Sequence, residues 1–450
     1  MKKIQDFFKN FLERDSSTGI LLIVATIAAL IVANTPLNNF YNVVMELEFT
    51  LGFPDLNITK SIHHWVNDGL MSLFFLLVGL EIKGELKFGR LKSFKSAVFP
   101  VVAAVCGAII PALIYWGFNY DTIYLQGWAI PMATDIAFVI GILALLGSRV
   151  PSWVKVFVTT IAVVDDLIAV LVIAFFYTEN ISWSALGIAG ICVLILLFFN
   201  LRNTARLSPY LIVGFVLWWA VLASGIHATI AGVILAFTIP LHRVWGLDKI
   251  KAFAKKGFDQ FKRAKDETLS YGINQAYYYL EKTQREMESP LRRLERKLHK
   301  PVYLLIMPLF AFVNAGIVID GEIMTNAFKM PVTWGIIAGL FVGKQVGILL
   351  GIWVLLKFFY KNMPNTKAIW KVLHGVSLLC GVGFTMSLFI ANLSFSKEII
   401  LEEAKIGILV SSMLSGVLGY YILYKGTANQ EGIQSENLSI ANTPSQNDVL

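Results

Sequence analysis

The stretch Thr159-Thr160-Ile161-Ala162-Val163-Val164-Asp165-Asp166-Leu167-Ile168-Ala169-Val170 decides how this sequence must be read. It lies inside an apolar run from Trp153 to Tyr177. A run of that length crosses a bilayer, whose hydrocarbon core takes about 20 apolar residues in a helix. Two adjacent carboxylates, Asp165 and Asp166, stand in the middle of it. An acid at such depth costs at least ~2.5–3.5 kcal/mol on insertion scales, and helix packing offers nothing against two in succession. A buried cation on another helix must answer them, or an ion that comes and goes.

The rest of the composition agrees with a membrane setting. Hydrophobic residues make up 56% of the 450 and charged residues 15%, which points to a polytopic membrane protein whose main partner is the lipid bilayer. The net charge of +8 is explained by asymmetry between loops, so no nucleic-acid partner is implied. Cys106, Cys192 and Cys380 are scattered through apolar runs and read as packing residues without disulfide or metal roles. Lys2, Lys3, Lys9 and Arg14 precede the apolar run Ile20–Ala33, as in a signal peptide. No small-residue cleavage site follows, and Asn34-Thr35-Pro36 reads as a helix end, so this run is expected to be a retained span. Residues 1–16 are expected to form an amphipathic surface helix, with Ile4, Phe7, Phe8, Phe11 and Leu12 on one face.

The pattern predicts an all-α membrane protein with twelve transmembrane helices. They fall near 17–36, 62–82, 96–117, 127–147, 153–177, 184–200, 208–223, 225–240, 301–317, 332–358, 370–396 and 403–424. Loops then alternate. One side carries Lys2, Lys3, Lys9, Arg14, Lys83, Lys87, Arg90, Lys92, Lys95, Arg149, Lys155, Arg202, Arg206, the basic 241–300 segment and Lys357, Lys361, Lys367 and Lys371; the other carries only Lys60, Lys329, Lys397 and Lys405, diluted by acids such as Glu46, Glu48, Asp55, Asp121 and Glu179. The positive-inside rule puts both termini in the cytoplasm. Spans 1–8 occupy 17–240 and spans 9–12 occupy 301–425. Between them, 241–300 is a charged cytoplasmic insertion whose Ile250, Phe253, Phe258 and Phe261 have helical spacing. Residues 426–450 are polar and without apolar period, the composition of a disordered tail.

Two of these spans are expected to be discontinuous. The fourth contains Pro131-Met132-Ala133-Thr134-Asp135, where a proline near the midplane is followed by a hydroxyl and a carboxylate. Proline removes a backbone donor and crowds the preceding turn, and backbone freed at that depth needs protein partners or a polar cavity. The eleventh is interrupted by Gly381 and Gly383. The two lie seven spans apart and so cross in opposite senses, which is the pattern of inverted-topology repeats in secondary transporters. A kink is the ordinary result of one such residue; the matched pair beside charges argues for more.

The tenth span supplies the missing cation. Gly335, Gly339, Gly343, Gly347 and Gly351 recur every fourth residue as a smooth stripe for helix packing, and Lys344 sits beside it, too central to reach the interface. Lys344 is expected to pair with Asp165 or Asp166. Neighbouring positions point about 100° apart, so one acid faces the lysine while the other faces a water-filled funnel. Two close carboxylates in a low dielectric do not both ionise easily. Such a site holds protons when they are plentiful and yields to a small hard cation, which prefers oxygen ligands, when they are not. His227, at the start of the eighth span, is a hydrogen-bonded interface histidine or a group that tunes pH response. Glu81 and Glu85 end the second span and, with Glu295, form either a proton-sensing cluster or local salt bridges.

Together, Asp-Gly-Leu-Met (68–71), Gly-Leu-Glu (79–81), Trp-Ala-Ile-Pro-Met-Ala-Thr-Asp-Ile-Ala-Phe (128–138), Val-Asp-Asp (164–166), Gly-Ile-His-Ala-Thr-Ile-Ala-Gly (225–232), Pro-Leu-Phe-Ala-Phe-Val-Asn-Ala-Gly (308–316), Gly-Lys-Gln-Val-Gly (343–347) and Cys-Gly-Val-Gly-Phe-Thr-Met-Ser (380–387) resemble the NhaA-type bacterial sodium/proton antiporters. The resemblance covers roughly residues 10–425. It implies an inner-membrane antiporter exporting sodium or lithium for more than one proton, without a cofactor. By motif match Asp165 and Asp166 bind the transported sodium and carry protons, Thr134 and Asp135 sit at the crossing of the broken helices, and Lys344 is their counter-charge and a candidate proton carrier. The family's pH-sensing cluster maps onto Glu81, Glu85, Glu295 and His227. It also implies a homodimer, paired partly through a β-hairpin, for which the alternating residues Tyr41 to Phe49 within 37–60 are the candidate. Two departures stand out: Gly84 replaces an arginine found in many relatives, and the 241–290 insertion is longer and more charged.

A sodium-coupled symporter is the nearest alternative. An intramembrane aspartyl protease also uses two acids, but these face one another from separate helices, whereas Asp165 and Asp166 are consecutive. The chain is therefore read as a transporter and not an enzyme. Because no charge of the insertion lies at membrane depth in this reading, replacing roughly 246–286 by a short flexible linker should leave cation/proton exchange intact while shifting its pH profile. Loss of exchange in a deletion variant that inserts and purifies normally would make the segment part of the mechanism.

Overall fold

The computed structural model describes residues 16–53, 56–178, 181–242, 246–263, 270–358 and 367–427. The expected N-terminal surface helix and the tail from 428 onward lie outside them. Among the described residues the protein is all-α apart from one two-stranded ribbon. Among the described residues, seven helices are long and apolar enough to cross a membrane: Ile62–Phe88, Ser96–Asn119, Ile123–Arg149, Ser152–Phe176, Trp183–Leu201, Pro331–Phe358 and Glu398–Gly426. Ala368–Leu379 and Phe384–Ser394 are apolar enough together and meet at a 41° bend. Ser17–Ala33 is followed by Asn38–Glu46, which turns away by 109°. Ser208–Ala223 and Thr229–Thr238 are apolar but shorter than a full crossing.

The chain separates into two compact units. The first comprises Met1–Asn67, Arg90–Tyr177 and Tyr303–Leu450; the second comprises Asp68–Gly89 and Thr178–Val302. In the first, the glycine stripe of Pro331–Phe358 lies against Phe94–Asn119, close enough that no side chain would fit. A Cβ on Gly347 would stand 2.4 Å from the Cys106 carbonyl oxygen, and one on Gly343 would stand 2.8 Å from Pro111 Cα. This backbone contact is what brings a lysine on one face of that helix to a fixed depth.

In the second unit, Leu80, Leu196, Leu217, Leu235 and Leu291 join one apolar core. The insertion is helical as expected. Leu247–Arg263 and Ser270–Met287 pack together, with Phe253 against Tyr279 at 5.6 Å between ring centroids. The packed face is Ile250, Phe253 and Gly257, while Phe258 and Phe261 are exposed. The third helix, Pro290–Pro301, is capped by the Ser289 hydroxyl, which accepts from Arg292 N at 3.3 Å.

The ribbon corrects one expectation. Strands Glu48–Phe53 and Leu56–Ser61 pair antiparallel, with the Thr50 and Thr59 hydroxyls 2.8 Å apart. Most of the Tyr41 to Phe49 stretch is instead helical, within Asn38–Glu46. Phe40, Val43, Val44 and Leu47 also satisfy the 3, 4 and 7 spacing of a helix face, and that period prevails until Glu48. The ribbon therefore begins where the expected one was to end.

Replacing Gly347 by Val should lower thermal stability in detergent by about 1–3 kcal/mol, the usual cost of overpacking. Gly187→Ala should be neutral or stabilising, because a Cβ there meets nothing within 4 Å and alanine favours helix by up to ~1 kcal/mol. Equal effects at the two positions would contradict the packing described.

Candidate ion-binding site

The break in the fourth segment runs as the sequence suggested. Ile123–Met132 is a tight helix ending at Pro131-Met132, Ala133 to Asp135 are not helical, and Ile136–Leu146 resumes the course. The eleventh breaks between Leu379 and Phe384. Each break satisfies the other's backbone. Asp135 N donates to Val382 O at 2.7 Å, and the Ser387 hydroxyl donates to Ile130 O at 2.8 Å.

Asp135 sits where two helix N-termini converge. Its Oδ1 accepts from Phe138 N at 3.0 Å and its Oδ2 from Thr385 N at 3.0 Å and the Thr385 hydroxyl at 2.5 Å. A helix start presents unsatisfied N–H groups and a partial positive charge, so one carboxylate answers both half-helices. Asp135 is fully buried.

On Ser152–Phe176, Asp165 meets the lysine. Lys344 Nζ lies 2.6 Å from Asp165 Oδ2, and neither side chain has any solvent exposure. Of the two acids left open by the sequence, Asp165 is thus the one facing Lys344. The Thr134 hydroxyl is 2.7 Å from the same Oδ2 and 2.9 Å from Cys380 O; its single hydrogen serves one of these acceptors at a time. Asp165 Oδ1 is buried with no hydrogen-bond partner among the described residues. Asp166, at the next position, is also buried. Thr134, Asp165 and Lys344 therefore touch directly, with Asp135 one residue from Thr134. The sequence reading missed Thr385 and the Cys380 carbonyl. A hydroxyl just after the glycine break, matching Thr134 after the proline break, was the available signal.

The sensor candidates fall in two places in the second unit. Glu81 stands within electrostatic range of Glu295, Arg292 and Glu85. Arg292 Nη1 donates to both Glu295 oxygens, at 2.8 and 3.0 Å. Burial pushes the Glu295 carboxyl up from its ordinary range, Arg292 pulls it down and Glu85 pushes it up again. Arg292 was not singled out from the sequence, although it precedes Glu295 by one helical turn. Its guanidinium lies 3.6 Å from where a Gly84 side chain would begin. His227 is elsewhere. Its Nδ1 bonds the Thr229 hydroxyl at 2.9 Å and its Nε2 is 3.8 Å from Asp68 Oδ1, and Asp68 is roughly 20 Å along the helix from Glu81 at 1.5 Å per residue. Cys106, Cys192 and Cys380 are free thiols.

A family model described as Na+/H+ antiporter 1 matches residues 9–423. The chain is 46% identical over 422 residues to the Na(+)/H(+) antiporter NhaA of Koribacter versatilis, covering 94% of this chain and 92% of that one. It is 42% identical over 438 residues to the Na(+)/H(+) antiporter NhaA of Psychrobacter cryohalolentis, covering 97% and 98%. It is 44% identical over 423 residues to the Na(+)/H(+) antiporter NhaA of Rhodospirillum rubrum, covering 92% and 96%. None of these three names is that of a symporter.

Removing one member of a buried ion pair strands the other, at a cost of ~3–5 kcal/mol, whereas replacing both by apolar residues is often neutral. Lys344→Ala should therefore lower thermal stability by about that amount, and Lys344→Leu combined with Asp165→Leu should recover most of it. Additive losses in the double variant would show that the two groups are not coupled.

Proposed function

From the premise that the chain belongs to the sodium/proton antiporter family, we propose that it is a secondary active antiporter of the bacterial inner membrane, exporting sodium or lithium in exchange for protons by alternating access. The observation that carries this is the dry contact between Lys344 and Asp165, flanked by Thr134 and with Asp166 beside it. With no cation bound, the ammonium neutralises Asp165. An arriving sodium competes for the same carboxylate oxygen, with Asp166 as the second negative charge and the Thr134 hydroxyl as a neutral oxygen ligand. An ammonium deprived of its carboxylate in a low-dielectric site sheds its proton. When the cation leaves, a proton returns and the pair closes again. Cation and protons are thus alternative occupants of one set of groups, which is the condition for exchange. No cofactor enters this scheme, since charge compensation is all the chemistry required.

Further readings belong with it. Twelve crossings in two inverted repeats are supported by the two breaks, each of which satisfies the other's backbone. Cytoplasmic termini are supported by the alternation of basic loops. A homodimer is supported by the two-stranded ribbon, in which both strands are edge strands, the kind of edge on which another chain can pair. For pH sensing, the cluster of Glu81, Glu85, Arg292 and Glu295 is the leading candidate, with His227 and Asp68 as a separate pair.

In everted vesicles, Asp166→Asn should abolish sodium-driven collapse of a proton gradient, because an amide keeps the shape but carries neither a proton nor a full charge. Asp165→Asn should abolish exchange or change its stoichiometry. Normal rates on adding sodium to Asp166→Asn vesicles would remove Asp166 from the site.

A further inference from the structure

The second unit contains a cavity of about 660 Å³ that ion exchange does not use. Three elements wall it. Arg206, Leu207 and Ser208 come from the start of Ser208–Ala223, Glu281 and Gln284 from Ser270–Met287, and Arg293, Arg296 and Lys297 from Pro290–Pro301. Spacings of three and four put the contributions of the second and third elements each on one helix face. Among the described residues, four cations therefore converge on a space lined by a single carboxylate.

These groups differ from a solvated basic surface in two respects. Arg293 is buried, 7% exposed, and its Nη2 donates to Ala205 O at 2.7 Å, tying the loop before Ser208 to the insertion's last helix. A guanidinium held in that way is already desolvated and oriented, so an anion meets it without ordering a mobile side chain. Second, the helix Ser208–Ala223 begins at this wall with no side-chain cap on its first turn. Its first-turn N–H groups, one fewer because Pro209 has none, and its dipole add to the same positive field. Arg296 is paired with Glu288 at 2.9 Å. Even counting Glu288 with Glu281, cations outnumber acids four to two among the described residues. A singly charged ion leaves that excess unbalanced, and two or more phosphate charges remove it.

We propose that this cavity binds a compact phosphate-bearing anion, held by Arg206, Arg293, Arg296 and Lys297 and by the N-terminus of Ser208–Ala223. The arginine forks match phosphate oxygens in pairs, and Lys297 adds a point charge. A cavity of this size takes a ligand as large as a nucleotide or a lipid headgroup. Gln284 supplies a neutral donor, and Glu281 sets an upper limit on how much negative charge is accepted.

The test uses the full-length protein with inorganic tripolyphosphate as the soluble probe, followed by calorimetry in an uncharged detergent. In parallel, thermal stability is measured in nanodiscs of phosphatidylcholine with and without phosphatidylglycerol. Arg206→Gln combined with Lys297→Gln changes exposed positions that folding does not need, and Lys251→Gln combined with Lys255→Gln removes the same charge from the exposed face of Leu247–Arg263. Saturable tripolyphosphate binding should weaken about tenfold or more in the first variant, one order per 1.4 kcal/mol. It should be unchanged in the second and tighten in Glu281→Gln. If only phosphatidylglycerol stabilises the protein, and the first variant alone loses that response, the occupant is a lipid headgroup held by the same chemistry. No response to either probe overturns the proposal, and so does equal loss in the two double variants.

Discussion

Everything at the centre of this protein depends on one ion pair that has no access to water. The Lys344 ammonium and the Asp165 carboxylate lie 2.6 Å apart with no exposure on either side chain. Neither charge is tolerable at that depth alone. The lysine's position is set by backbone packing, through the glycine stripe pressed on Phe94–Asn119. The acid's position is set by a long unbroken helix, Ser152–Phe176. Two rigid elements thus hold the two charges, and what sits between and beside them is left to two interrupted ones.

Those interruptions are costly in a membrane unless every freed group finds a partner. Here the partners are reciprocal. Val382 O takes the amide of Asp135, Ile130 O takes the Ser387 hydroxyl, and the Asp135 carboxylate answers two helix starts at once. Both oxygens of Asp135 accept from fixed donors, whereas Asp165 keeps one oxygen unengaged by the described residues. The difference between these two acids lies in their surroundings and not in their chemistry, which is the same.

The contact between lysine and acid was legible in the sequence because burial of isolated charge is so unfavourable that each one announces a partner. Which acid was involved was not legible, since Asp165 and Asp166 differ only by a rotation of about 100° and nothing local fixes the helix's orientation. The proline and glycine breaks were readable from residue type alone. Their mutual hydrogen bonds were not, because Thr385 and the Cys380 carbonyl acquire meaning only when the two segments cross. The ribbon was misplaced because Tyr41, Val43, Met45, Leu47 and Phe49 alternate as on a strand, while Phe40, Val43, Val44 and Leu47 in the same stretch line a helix face, and the helix prevails. The acid cluster of the second unit was anticipated, but not its arginine, since Arg292 and Gly84 are far apart in the chain and a glycine gives no hint of what fills the space beside it.

The Thr134 hydroxyl has one hydrogen and two acceptors, Asp165 Oδ2 and Cys380 O. A charged carboxylate is the stronger acceptor, so while Asp165 is ionised the hydrogen belongs to it and the Cys380 carbonyl goes without. Once a proton or a cation neutralises Asp165, the hydroxyl turns and the carbonyl gains a bond. A bond gained at a carbonyl lengthens it and lowers its stretching frequency. One oscillator in the glycine break therefore registers the charge on another helix, and an isotope placed at the Cys380 carbonyl carbon would make that register visible in the infrared.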